Sequence, residues 1–158
     1  MWSVLRSLPK FDFNNCEQKM DPNVAKLQVI QNDMFRLLIG KNRSSHTNME
    51  TTREKLRMMS VNQLSVYHTA IEMFNIINQK SSVSLHEEMK MQPRGYNLRG
   101  MEEGKVQVPE KGKKSCNGFH YMGPKLWNFL PSHIRKTSIR NVFKEKLKDF
   151  VWENIPSV

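Results

Sequence analysis

The stretch Asp21–Asn42, DPNVAKLQVIQNDMFRLLIGKN, decides the fold class, because it carries every part of a helix. Asp21 suits the N-cap, where its carboxylate can accept from free N–H groups. Pro22 suits the next position, where no N–H is needed. Leu27, Ile30, Met34, Leu37 and Leu38 recur at steps of three and four and form one apolar stripe. Gly40 then suits the left-handed position that stops a helix. By ordinary amphipathic logic, the stripe is the face this helix should bury.

Two further helices follow. A polar link, KNRSSHTN, leads into METTREKLRMM, where Met49, Leu56 and Met59 lie on one side and Arg53 and Arg57 on another. Ser60 opens the next, SVNQLSVYHTAIEMFNIINQ, with Leu64, Tyr67, Ile71 and Phe74 as its stripe. Ser60 and Gln63 have capping-box spacing, so each side chain can satisfy the other residue's backbone N–H. Three amphipathic helices joined by short links should pack as a small antiparallel bundle over residues 21–80.

The character changes after Gln79. Residues 81–114 read as an irregular linker without a helical stripe. Extended pieces are expected at Val106–Val108 and Ser115–Tyr121, which the EKGKK turn can pair as a short β-hairpin. Residues 115–158 then hold an aromatic knuckle and a closing amphipathic helix. Residues 1–20 show no clear period. The fold class is therefore mainly α.

The knuckle is GFHYMGPKLWNFLP, Gly118–Pro131. Gly123 can turn sharply, Pro124 can start a short helical segment, and Pro131 ends it. Phe119, Tyr121, Trp127 and Phe129 are read as packing material that gives a basic region something to fold around. The competing reading is a platform on which bases stack, since aromatics among lysines suit single-stranded nucleic acid. The closing helix, TSIRNVFKEKLKDFVWENI, is capped by Thr137 or Ser138. It presents Ile139, Phe143, Leu147, Phe150 and Val151 on its apolar face, beside a row of Arg140, Lys144 and Lys148.

Composition narrows the function. In 158 residues, 25 Lys and Arg stand against 15 Asp and Glu, a net charge of +10. A surface of that sign favours polyanions. The excess is local: between Lys105 and Arg140, eight Lys or Arg face Glu110 alone, leaving +7. Mean hydropathy is −0.63. No apolar run is long enough for a membrane span, and Lys10 and Asp12 follow the first apolar residues too soon for a signal peptide. Cys16 and Cys116 do not make a disulfide framework. The expectation is a soluble intracellular protein, nuclear or cytoplasmic.

Chemistry is scarce. Cys116 and His120 are four apart, while Cys16, His46, His68, His86 and His133 are scattered, so no zinc site is expected. No phosphate-binding loop, dinucleotide fingerprint or HExxH motif occurs, so neither a cofactor nor a small-molecule substrate is expected.

The ordered pieces resemble the region behind the polymerase of non-LTR (LINE-type) retrotransposon reverse transcriptases. The similarity runs from Asp21 to about Asn154. It rests on KLQVIQNDMFRLLIG, LRMMSVNQLSVYHTAIEMFNIIN, YNLRG, GFHYMGPKLWNFLP and IRKTSIRNVFKEKLKDF, with GPKLWN followed by FKEKLKDF the most specific. The polymerase motif of that family has two adjacent aspartates that hold Mg²⁺. No Asp-Asp pair occurs in this chain, and no apurinic-type endonuclease domain accompanies it. The resemblance therefore implies a catalytically inert tail, from a truncated transposon copy or a small open reading frame, with no catalytic residue.

Such a segment would help hold RNA or DNA near the polymerase, without sequence preference. The candidate contacts are Lys111, Lys113 and Lys114 in a Gly-containing turn, and Arg135, Lys136 and Arg140 leading into the closing helix. The alternative is a protein-interaction or structural module that docks on a reverse transcriptase domain.

Overall fold

The computed structural model describes residues 22–42, 48–81, 84, 104–108 and 118–156. Six helices are found among them: α1 (Pro22–Leu38), α2 (Met49–Leu56), α3 (Val61–Ile77), α4 (Phe119–Phe129), α5 (Ser132–Arg135) and α6 (Arg140–Asn154). The chain is mainly α. It divides into two compact units, the first comprising α1, α2, α3 as far as Ser65 and the chain from Trp152, the second running Val66–Val151.

Local chemistry sets most of the helix ends. α1 begins at Pro22 and stops at Gly40, whose φ is +67°. There the Gly40 N–H donates to Leu37 O (3.1 Å) and the Lys41 N–H to Arg36 O (2.8 Å), the paired bonds of a left-handed helix stop. Asn48 caps α2, its Oδ1 accepting from the N–H groups of Glu50 (3.0 Å) and Thr51 (3.3 Å). The capping box forms at α3: the Ser60 N–H donates to Gln63 Oε1 (3.0 Å) and the Gln63 N–H to Ser60 Oγ (3.2 Å). Asp21, the expected cap of α1, lies outside the described residues.

In the first unit α1 turns the unexpected way. Leu27, Ile30, Met34, Leu37 and Leu38 are 52% to 76% exposed, whereas Gln28 and Phe35 are buried. The inward face is lined with amides because the segment it covers is bare backbone. Gln28 Oε1 accepts from the Val61 N–H (2.9 Å), and Gln31 Nε2 donates to Met59 O (3.1 Å). Buried backbone groups must find partners, and an aliphatic stripe offers none. Gln28 Nε2 ties the face together through Gln31 Oε1 (2.9 Å) and Asn32 Oδ1 (3.0 Å). Gln63 does the same for the C-terminus, donating from Nε2 to Ile155 O (2.9 Å). Met49 and Met59 are buried as expected, but Leu56 is exposed and Arg53 is buried instead. Arg53 Nη1 donates to Asn32 Oδ1 at 3.3 Å, and its Nε has no acceptor.

The second unit has a dense aromatic core. Along α3 the buried line is Val66, Ala70, Met73, Phe74 and Ile76, with Ile71 also buried and Tyr67 half-buried. Phe74 stacks on Phe143 of α6 with ring centres 4.4 Å apart, and Trp127 of α4 lies 5.9 Å from the same Phe143 ring. Phe129 meets Phe150 edge-on at 5.8 Å. Trp127, Leu126 and Leu130 are almost fully buried, so the knuckle is packing material at these positions.

Three local expectations are corrected here. Gly123 does not turn the chain, because α4 already starts at Phe119 and carries Gly123 and Pro124 in its interior. Gly123 allows a close approach: a Cβ there would lie 2.7 Å from Met73 Sδ, so the Met73 side chain would have to shift. Second, Phe119, His120 and Tyr121 are helical rather than extended, while residues 115–117 lie outside the described residues; no strand occurs among those described. Val106 makes one isolated bridge, and a side chain holds it as well. Its N–H donates to Asn128 Oδ1 (2.9 Å) and its carbonyl accepts from Asn128 Nδ2 (2.8 Å), while Trp127 Nε1 donates to Gly104 O (2.9 Å). Third, Ile139 occupies the cap position of α6, its carbonyl accepting from the Phe143 N–H at 2.9 Å. The Thr137 hydroxyl donates back to His133 O (3.1 Å), and Ile139 is exposed.

Candidate functional site

The six candidate cations do not behave as a set. Lys111, Lys113 and Lys114 lie outside the described residues. Lys136 and Arg140 are exposed and bracket the link into α6. Arg135 is turned inward, only 6% exposed, with Nε donating to Leu130 O at 2.9 Å. That bond satisfies a carbonyl just past the end of α4, where the helix leaves such groups without internal partners. Arg135 is therefore a packing and capping residue, and it leaves the candidate phosphate contacts.

What remains is a cationic end on the second unit. His133, Lys136, Thr137, Ser138, Ile139, Val142 and Lys146 line a shallow open depression of ≈ 280 Å³ beside the first turn of α6. Lys146 Nζ sits 3.4 Å from Thr137 Oγ1. Lys144 is half-buried and Lys148 exposed, extending the row along the helix. The electrostatics favour an anion, but nothing encloses one. Tyr121 does not offer a bare ring, since Lys125 Nζ lies 5.9 Å from its centre. Trp127 is 1% exposed and can stack on no base.

No group of three or more His, Cys, Asp or Glu that could hold a metal ion occurs among the described residues. Among the same residues, no helix is long and apolar enough to cross a membrane.

The larger feature is one that the periodicity of α1 did not reveal. Its five aliphatic side chains form an outward seam about 16 Å long, at 1.5 Å per residue from Leu27 to Leu38. Leu27, Ile30, Met34 and Leu37 follow the three-four spacing by which helices pack on one another. Exposed apolar side chains are ordinary singly; here five of them fall in one row on one helix. One sequence signal was present. The face beside the stripe bears Gln28, Gln31 and Asn32, amides that can bond backbone, rather than the Lys and Glu that favour water.

Comparison of the sequence with protein-family models, with curated proteins and with solved structures gives no match.

Proposed function

We propose that this chain is a non-catalytic docking module, resembling the region behind the polymerase of LINE-type reverse transcriptases, which seats on a protein partner through the outer face of α1. The observation that carries this reading is the inversion of α1. Five large apolar side chains face outward while the amides beside them are used up inside the first unit. Leaving such a stripe in water forgoes roughly 25 cal/mol for each Å² that a partner could cover.

The family resemblance names a partner to test, a reverse transcriptase catalytic domain. A separately produced LINE-type catalytic domain should bind the chain with little dependence on salt, and Ile30→Asp with Leu37→Asp should abolish binding. Both positions are exposed, so the variant should keep its melting temperature. Binding that ignores these substitutions would refute the reading.

A second reading rests on the cationic end of α6. Lys136 and Arg140, with Lys144 and Lys148 beyond them, would contact phosphates without reading sequence, because lysines and arginines on an open surface recognise charge. Lys111, Lys113 and Lys114 belong to the same reading by sequence. Steep salt dependence would distinguish it from docking through α1.

A further inference from the structure

We infer that the element received by the α1 seam is an amphipathic helix of a different protein, carrying carboxylates at both ends of its apolar face. This rests on the docking reading and specifies the partner's chemistry. The seam is straight, one helix wide and about three turns long, and its spacing is that of ridges accepting another helix. A strand would instead need unpaired backbone edges, and α1 spends its backbone groups on itself.

The charges around the seam choose the partner's sign. Asp33 is neutralised by Arg36, whose Nη1 lies 2.7 Å from Asp33 Oδ1. Among the described residues, the cations at the two ends are Lys26, next to Leu27, and Lys41, just past the Gly40 stop; both are exposed. A second copy of this chain is the natural competitor for an apolar seam, and electrostatics oppose it. Two α1 helices packed parallel bring Lys26 to Lys26 and Lys41 to Lys41. Packed antiparallel about the centre of the seam, they bring Lys26 of one to the same end as Lys41 of the other. Either way like charges meet, and each chain carries +10 overall. A helix with Glu or Asp flanking its apolar row meets opposite charges at both ends, in either direction.

The test uses the full chain and two synthetic helical peptides with the same leucine face, one flanked by Glu and the other by Lys. At low salt the Glu-flanked peptide should bind about tenfold more tightly, the scale of two exposed ion pairs changed from attraction to repulsion. The difference should shrink at high salt. Lys26→Glu with Lys41→Glu should reverse the preference, and Ile30→Asp should abolish binding of both peptides. Lys136→Ala with Arg140→Ala controls for adhesion to the cationic end and should change nothing. Equal binding of both peptides would overturn the inference and leave the docking reading standing. Binding of neither would overturn both. Affinity for the Glu-flanked peptide that is lost with Lys136 and Arg140, or sedimentation as a dimer that Ile30→Asp dissolves, would likewise overturn it.

Discussion

Asn128→Ala should be among the most damaging single changes on a half-exposed residue of this chain. The Asn128 amide meets both polar groups of the buried Val106 peptide positions, accepting from its N–H at 2.9 Å and donating to its carbonyl at 2.8 Å. Val106 is fully buried, so truncation strands a donor and an acceptor away from water. Each stranded group costs about 1–3 kcal/mol, giving about 2–6 kcal/mol in all. Against a typical total stability of about 5–15 kcal/mol, that is a large fraction. For a chain of this length a loss of about 3 kcal/mol corresponds to a fall of about 6–12 °C in Tm. Thermal melts followed by far-UV circular dichroism and by tryptophan fluorescence would measure it. Trp127→Phe removes the neighbouring tie to Gly104 O, so the double variant should cost less than the sum of the singles, both ties holding one segment. A fall in Tm under about 2 °C for Asn128→Ala would show that residues 104–106 are not part of the cooperative unit, and the reasoning would fail.

Four other outcomes can be checked with the same purified protein. Trp127→Ala empties the site beside Phe143 and should cost about 3–5 kcal/mol, abolishing a cooperative melt; an unchanged melt with lost affinity for single-stranded RNA would favour the stacking platform instead. Arg53→Met should be neutral or stabilising within about 1 kcal/mol in urea titrations, because the buried guanidinium has no carboxylate partner among the described residues and Asn32 Oδ1 keeps its bond from Gln28; a loss above about 2 kcal/mol would mean that its charge is compensated after all. Lys136→Ala with Arg140→Ala should lower nucleic-acid affinity equally for all sequences and flatten the log–log salt slope by about two, one per phosphate contact; an unchanged slope in anisotropy titrations at several salt concentrations would remove the second reading. In Mg²⁺ no variant, nor the parent chain, should extend a primed RNA template.

The sequence by itself determined what depends on neighbours a few residues apart. Pro22, Gly40 and the Ser60–Gln63 pair mark helix ends because their effects act within one turn, on backbone groups the helix itself leaves unsatisfied. The burial of Trp127 was legible for a similar reason: a large indole set among Leu126, Phe129 and Leu130, in a segment with a single charge, has little alternative to a core. Tertiary structure decided everything that depends on what lies opposite. Gly123 looked like a turn until Met73 came within reach of it, and Arg135 looked like a phosphate contact until the end of α4 supplied Leu130 O. Asn128 carried no signal at all, since its role exists only once Val106 lies beside it. The outer stripe of α1 makes the same point most sharply. Periodicity tells which face of a helix is apolar, and the period is identical whether that face is covered by its own chain or kept for a partner. The choice was made by the unsatisfied backbone of Met59 and Val61, which only the amide face could serve.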